Sequence, residues 1–221
     1  MRSYDQYCGI AKALDVLGAR WTPLLLRELL LGPRRYSELQ RALPGITTNL
    51  LAARIRELQS DGILQQVRRD ADGRRAWALT TVGEAVRPVL LALGAFGARW
   101  MQAPGDDHVN ARWYVVSLQR RYQGGVAACT VDLQIDDGAY TLLVTEHDLV
   151  SRDGSPAEAD LVIRGSLGAV VGLFSGVGEP PEHLEISGDG ALLEGLRAAL
   201  AAAPPSDDRQ EGAELTTGAP T

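Results

Sequence analysis

Two cysteines, Cys8 and Cys129, are all that the 221 residues contain. That is far too few for a disulfide scaffold, and it points to a reducing, cytoplasmic compartment. Histidine is scarce as well. His108, His147 and His183 lie far apart, with no H-E-x-x-H pair and no CxxC, so no metal site is read and no cofactor is expected. Glu146, His147 and Asp148 are adjacent and would alternate faces on a strand, which excludes a convergent acid-base pair and leaves a solvated turn. Gly165, Gly168 and Gly172 lack the spacing of a dinucleotide loop, so an enzyme is not expected. Long apolar runs are missing too: the richest, Thr22 to Leu31, is interrupted by Arg27 and Glu28, and no N-terminal basic-plus-apolar signal precedes it. No membrane partner is therefore expected.

The charge present is unevenly placed. Residues 1–102 hold 15 Lys+Arg and 9 Asp+Glu, a net of +6, and residues 103–221 hold 7 and 19, a net of −12, which together give the overall −6. A polyanion-binding module joined to a domain with another task has this asymmetry.

Within the basic half, Tyr36 to Gly62 reads as two helices around a tight corner. Leu39 and Leu43 repeat at helical spacing, Pro44 and Gly45 stop the first helix, and Thr47 or Thr48 caps the second. Leu51, Ile55 and Leu58 draw one apolar stripe, which leaves Asn49, Ala52, Ala53 and Arg56 on the opposite face. Small residues beside an amide and a guanidinium suit close approach to base edges in a major groove. Ahead of this pair, Gly9 to Leu17 reads as a helix closed by Gly18. Thr22 to Leu31 reads as a central helix, with Thr22 as cap and Pro23 in its first turn.

Behind the pair, two short runs anchored by Ile63, Leu64, Val67, Trp77 and Leu79 flank Asp72-Gly73, a hairpin signal. This wing carries Arg68, Arg69, Arg74 and Arg75, whose planar, permanently charged heads suit phosphate oxygens. A helix follows with Thr81 as cap, Glu84 as its capping-box partner and a kink expected at Pro88. Its stripe of Val86, Val89, Leu90, Leu93 and Phe96 has no groove left to fill, so a homodimer is expected through it. Two-fold symmetry would set two recognition helices about 34 Å apart on a near-palindromic double-stranded operator.

The run CGIAKALDVLGARWTPLLLRELLLGPRRYSEL, followed by LPGITTNLLAARIREL and AWALTTVG, resembles the HxlR-type winged-helix transcriptional regulators of bacteria, over about Tyr7 to Gln102. The resemblance implies a dimeric DNA-binding regulator with Thr47, Thr48, Asn49, Ala53 and Arg56 in the groove and the hairpin as wing. It also sets Cys8 where some members carry a sensor cysteine. A thiol ahead of a helix with Lys12 one turn on suits that redox role, and a small buried hydrophobe is the alternative. The wing departs from the family's frequent Pro-Pro-x-Val-Glu-Tyr run, having Gly73-Arg74-Arg75-Ala76-Trp77 instead.

The acidic half begins beyond a Pro-, Gly- and Asp-containing hinge at residues 103–110. A helix around Trp113 to Tyr122 ends at Gly124-Gly125. Alternation at Val131, Leu133 and Ile135, against outward Asp132, Gln134 and Asp136, then predicts antiparallel strands turning at Asp137-Gly138. A strand, a short helix, a strand and a helix capped by Asp189 complete an α+β domain over residues 110–203, with its sheet covered by helices. This layout, with the run Asp160 to Leu173, resembles the sterol-carrier-protein type of domain. The resemblance implies an apolar pocket for a small-molecule effector, with Leu142, Val144, Leu161, Ile163, Val170, Leu173 and Phe174 as candidate lining, while residue by residue plain core packing is the stronger reading. Residues 204–221 lack periodicity and are expected to be disordered.

The expected protein is thus an α+β chain. Residues 1–103 form a winged helix-turn-helix for DNA binding and dimerisation, ahead of the second domain. The expected function is that of a dimeric repressor, and a lipid or small-molecule carrier is the alternative.

Overall fold

The computed structural model describes residues 3–69, 73–101, 108–175 and 183–201. Most of the expected hinge, the tip residue Asp72 and the expected tail lie outside them. Helix α1 (Gly9–Leu17) closes where Gly18 donates its N–H to the Leu14 carbonyl. Helix α2 (Thr22–Leu29) already includes its expected cap: Trp21 takes the capping position in a left-handed conformation (φ 78°), and Thr22 turns inward. Leu25, Leu26, Leu29, Leu30 and Leu31 are all buried, each adding about 1.5–3 kcal/mol of burial free energy.

Helix α3 (Tyr36–Ala42) is closed at its start by the Glu38 carboxylate, which accepts the Arg35 N–H at 2.8 Å. Gly45, at φ 92°, makes the corner into α4 (Thr48–Ser60), a conformation that a side chain would oppose. Thr47 is the cap of α4, accepting from the Leu50 N–H. Leu51, Ile55 and Leu58 are buried as the periodicity requires.

Strands β1 (Leu64–Arg69) and β2 (Arg74–Leu79) form the antiparallel hairpin, with Arg68 opposite Arg75 and Arg69 opposite Arg74. The helix expected behind it is two, α5 (Thr81–Glu84) and α6 (Val86–Ala98), broken at Ala85. Its cap is Thr80, not Thr81, because only the Thr80 hydroxyl reaches the Gly83 N–H, at 2.9 Å. The break also removes the expected kink at Pro88, which falls in the first turn of α6, where a missing N–H costs nothing.

The second half opens with α7 (Ala111–Arg121), capped by Asn110. Strands β3 (Cys129–Ile135), β4 (Gly138–Val144), β5 (Leu149–Asp153), β6 (Leu161–Gly165) and β7 (Glu185–Gly188) form one sheet in the order β5-β4-β3-β6-β7. Three of its pairings are antiparallel, as expected, and β3 with β6 is parallel. The first turn uses Asp136 and Asp137, with Gly138 already paired to Ile135, one residue earlier than the sequence suggested. Asp132 is buried rather than outward, its carboxylate accepting from Gln134 Nε2 at 2.8 Å. Helices α8 (Leu167–Leu173) and α9 (Gly190–Leu200) complete this α+β half, with Asp189 capping α9 as expected. A single hydrophobic core runs from Leu25 through α7 to Leu200, so the two halves share buried side chains.

Candidate nucleic-acid interface

Helix α4 has one buried edge and one open edge. Thr47, Thr48, Asn49 and Arg56 are exposed and Ala53 is half-buried, so the residues chosen from the sequence share the outward side. The base of this helix is fixed from α3: the Tyr36 hydroxyl donates to the Thr48 carbonyl at 2.8 Å, and Gln40 Nε2 donates to the Ile46 carbonyl at 2.8 Å. Neither tether was picked out from the sequence, although Tyr36 and Gln40 stand a helical turn apart, where both meet the corner.

The wing arginines divide. Arg69 turns back to the body of the domain, donating from Nη1 to Glu38 and to the Pro33 carbonyl, each at 2.9 Å. Arg68 and Arg75 are exposed and face each other directly across the hairpin. Like charges so placed repel, and an anion between or beside them relieves the cost. Arg74, opposite Arg69, is also exposed. An open helix edge of small and donor-bearing residues beside a cationic hairpin matches base-edge reading with phosphate contacts to one side.

The sequence profile of the HxlR-like helix-turn-helix family matches residues 16–104. An HTH-type transcriptional regulator of Synechocystis, sll1512, is 38% identical over 96 residues, which are 43% of this chain and 71% of that protein. The chain belongs to the HxlR-like helix-turn-helix family. A second relative, the HTH-type regulator YvaP of Bacillus subtilis, is 33% identical over 91 residues, 41% of this chain and 84% of its own. Among solved structures, reduced YodB from B. subtilis is 27% identical, covering 44% of this chain and 97% of that one with a TM-score of 0.38. This HxlR-like chain is accordingly a DNA-binding regulator and not an enzyme. The family match ends at residue 104, before the second half begins.

Cys8, at the start of α1, is exposed. The backbone amides of Ala11 and then Ile10 hold its thiol below the ordinary cysteine range, which favours the reactive thiolate. Lys12 contributes less than its spacing suggested, because it pairs with Asp15 at 3.3 Å. Cys129 is buried, and burial first, then Asp160 and Asp189, push its thiol up. On α6 and beyond it, Val89, Leu93, Phe96 and Trp100 are exposed, Phe96 by 61% and Trp100 by 64%, with their two rings 4.7 Å apart. Ile10 and Leu14 of α1 are exposed too. Thr81–Ala98 is long and apolar enough to cross a membrane by composition alone, a weak signal in a stretch broken at Ala85.

In the second half of this HxlR-like chain, Leu142, Val144, Leu161, Ile163, Val170, Leu173 and Phe174 are all buried and belong to the shared core. A residue the sequence treated only as an interruption proves central. Glu28, with a fully buried carboxylate, accepts from Arg27 Nη2 at 2.9 Å, Arg34 Nη1 at 2.8 Å and Trp113 Nε1 of α7 at 2.6 Å. Arg112 donates to the Glu28 carbonyl at 2.9 Å and also pairs with Asp153. The Arg27 guanidinium lies 4.0 Å over the Trp113 ring. Burial pulls Arg27 and Arg34 below the usual guanidinium range, and Glu28 opposes that pull. The signal available in the sequence was a carboxylate in a helix apolar on nearly every side, which has to be buried and paired.

Proposed function

We propose that the chain is a cytoplasmic, homodimeric repressor. Thr47, Thr48, Asn49, Ala53 and Arg56 read a near-palindromic operator, while Arg68, Arg74 and Arg75 hold its phosphates. The observation that carries this is the repelling Arg68–Arg75 pair beside the open edge of α4, an arrangement a polyanion stabilises. The apolar face of α6 supports a second copy as its partner, since such a face left in water is a liability. Repression is the simplest mode, because occupying a promoter needs no contact with polymerase. The second half acts as the sensing element. An apolar effector among Leu142, Val144, Leu161, Ile163, Val170, Leu173 and Phe174 would have to displace side chains that now fill the core.

The test is binding to DNA from the protein's own promoter region at several salt concentrations. Affinity is expected to fall steeply with salt and to favour one near-palindrome protected over two half-sites about 34 Å apart. Arg56→Ala is expected to relax the sequence preference, with a discrimination loss of about 1–3 kcal/mol. No preference over random DNA would sink the reading, and a single protected half-site would remove the dimer from it.

Cys8 gives the regulator a redox input. Diamide is expected to change operator affinity in the wild type and leave Cys8→Ser untouched, while Cys129, buried, stays unmodified. The same response from both proteins would rule this out.

A further inference from the structure

We propose that the cleft between the winged half and the second half is an effector site for a small organic anion, a carboxylate on a compact apolar body. The inference rests on the regulator reading and names the chemistry of its signal. The cleft has a volume of about 520 Å³, within the range of small-molecule sites. One wall is the turn after α2, where half-buried Pro33 presents apolar surface and the buried Leu30 and Leu31 contribute backbone. The polar lining comes from both halves: Arg69 from the wing, Glu84 and Arg87 from α5 and α6, Arg152 and Asp153 from the end of β5.

That lining carries three guanidiniums and two carboxylates, and both carboxylates are engaged. Glu84 holds Arg87 at 2.7 Å, and Asp153 holds Arg112 from α7. Arg69 is held by Glu38. Arg152, exposed on the edge strand β5, has no ion-pair partner among the described residues. The cleft therefore presents one uncompensated cation beside the apolar ring of Pro33. A carboxylate matches a guanidinium by two parallel hydrogen bonds, and Pro33 flanks the ligand's body.

Occupancy there reaches the wing through atoms already in contact. The lining turn is bound from the second half, with the Asp153 N–H donating to the Leu31 carbonyl at 2.7 Å. It is bound from α6 as well, where Arg87 donates to the Leu30 carbonyl at 2.9 Å. Three residues past Leu31, Arg34 exchanges backbone hydrogen bonds with Trp77 of β2, at 2.9 and 2.7 Å, while Arg69 ends β1. β1 thus meets the cleft through Arg69, and β2 is tied to the residue that follows its lining turn. An anion held there adds negative charge beside a hairpin that has to approach phosphate, so it lowers DNA affinity, and by linkage DNA lowers its affinity by the same factor.

The test is isothermal titration of the full chain with benzoate, hexanoate and, as a neutral isostere, benzamide. At least one carboxylate is expected to saturate with a Kd below about 1 mM, and benzamide is expected to give no saturable heat. Arg152→Ala, a surface change whose fold circular dichroism checks, is expected to weaken the carboxylate at least tenfold, and Arg152→Lys to fall between. In parallel, the bound carboxylate is expected to reduce affinity for promoter DNA about fivefold or more in the wild type and not in Arg152→Ala. No saturable binding of either carboxylate, equal binding of benzamide, or an unchanged affinity in Arg152→Ala each overturns the proposal. DNA binding that survives those results leaves the regulator reading standing, whereas a chain that binds carboxylate and ignores promoter DNA loses that reading and keeps the cleft.

Discussion

Replacing Glu28 by alanine is expected to destabilise the chain by about 3–5 kcal/mol, the usual cost of removing one partner from a buried ion pair. The carboxylate is fully buried, and the guanidiniums it neutralises, Arg27 and Arg34, are themselves mostly withdrawn from water. Without it, two cations face each other near Arg112, and Trp113 Nε1 loses the acceptor it now has at 2.6 Å. The loss is a large share of the 5–15 kcal/mol typical of a domain. Its effect is not confined to α2, because Glu28 joins α2 to α7 and, through Arg34, to the wing. Urea unfolding followed by tryptophan fluorescence measures it. Glu28→Gln keeps an acceptor for Trp113 and loses the charge, so its midpoint is expected between alanine and wild type. Equal midpoints for all three would show that the cluster contributes nothing to stability.

That cluster also marks where the sequence stopped being legible. Periodicity located Leu51, Ile55 and Leu58 because a stripe is a local property of one helix, and Gly45 marked the corner because a left-handed residue has few alternatives. Beside adjacent Arg27, Glu28 binds Arg34 and Trp113, 6 and 85 residues away, a pairing no local pattern encodes. The cap of α5 slipped by one residue for a similar reason: adjacent Thr80 and Thr81 are equivalent in sequence, and only the path of the chain from Ile63 selects the first. Parallel pairing of β3 with β6 was hidden, since strand alternation reports which face is buried and not which neighbour lies alongside. For Leu142 to Phe174 the difficulty is deeper, because a lined pocket and a filled core need the same side chains. At the interface, the four wing arginines looked alike until their strands were placed; the hairpin register sends Arg69 inward to Glu38 and leaves Arg68 and Arg75 outside.

That separation makes the wing testable. Arg68→Ala with Arg75→Ala is expected to weaken operator binding by about two orders of magnitude or more, as befits two lost charge-assisted contacts in each copy. The plot of log affinity against log salt is expected to become shallower by about 3.6, roughly 0.9 for each of the four phosphates the two copies no longer neutralise. Sequence preference is expected to stay, because it resides in α4. Folding stability is expected to stay or rise slightly, since the pair repels across the hairpin in free protein. Arg69→Ala is expected to do the reverse, lowering stability by detaching the hairpin from Glu38 and Pro33 while leaving the salt slope nearly unchanged. Salt titrations of fluorescence anisotropy, beside thermal unfolding of the same variants, separate the two roles. A double variant with an unaltered slope would place the wing away from the phosphates and leave α4 as the sole contact.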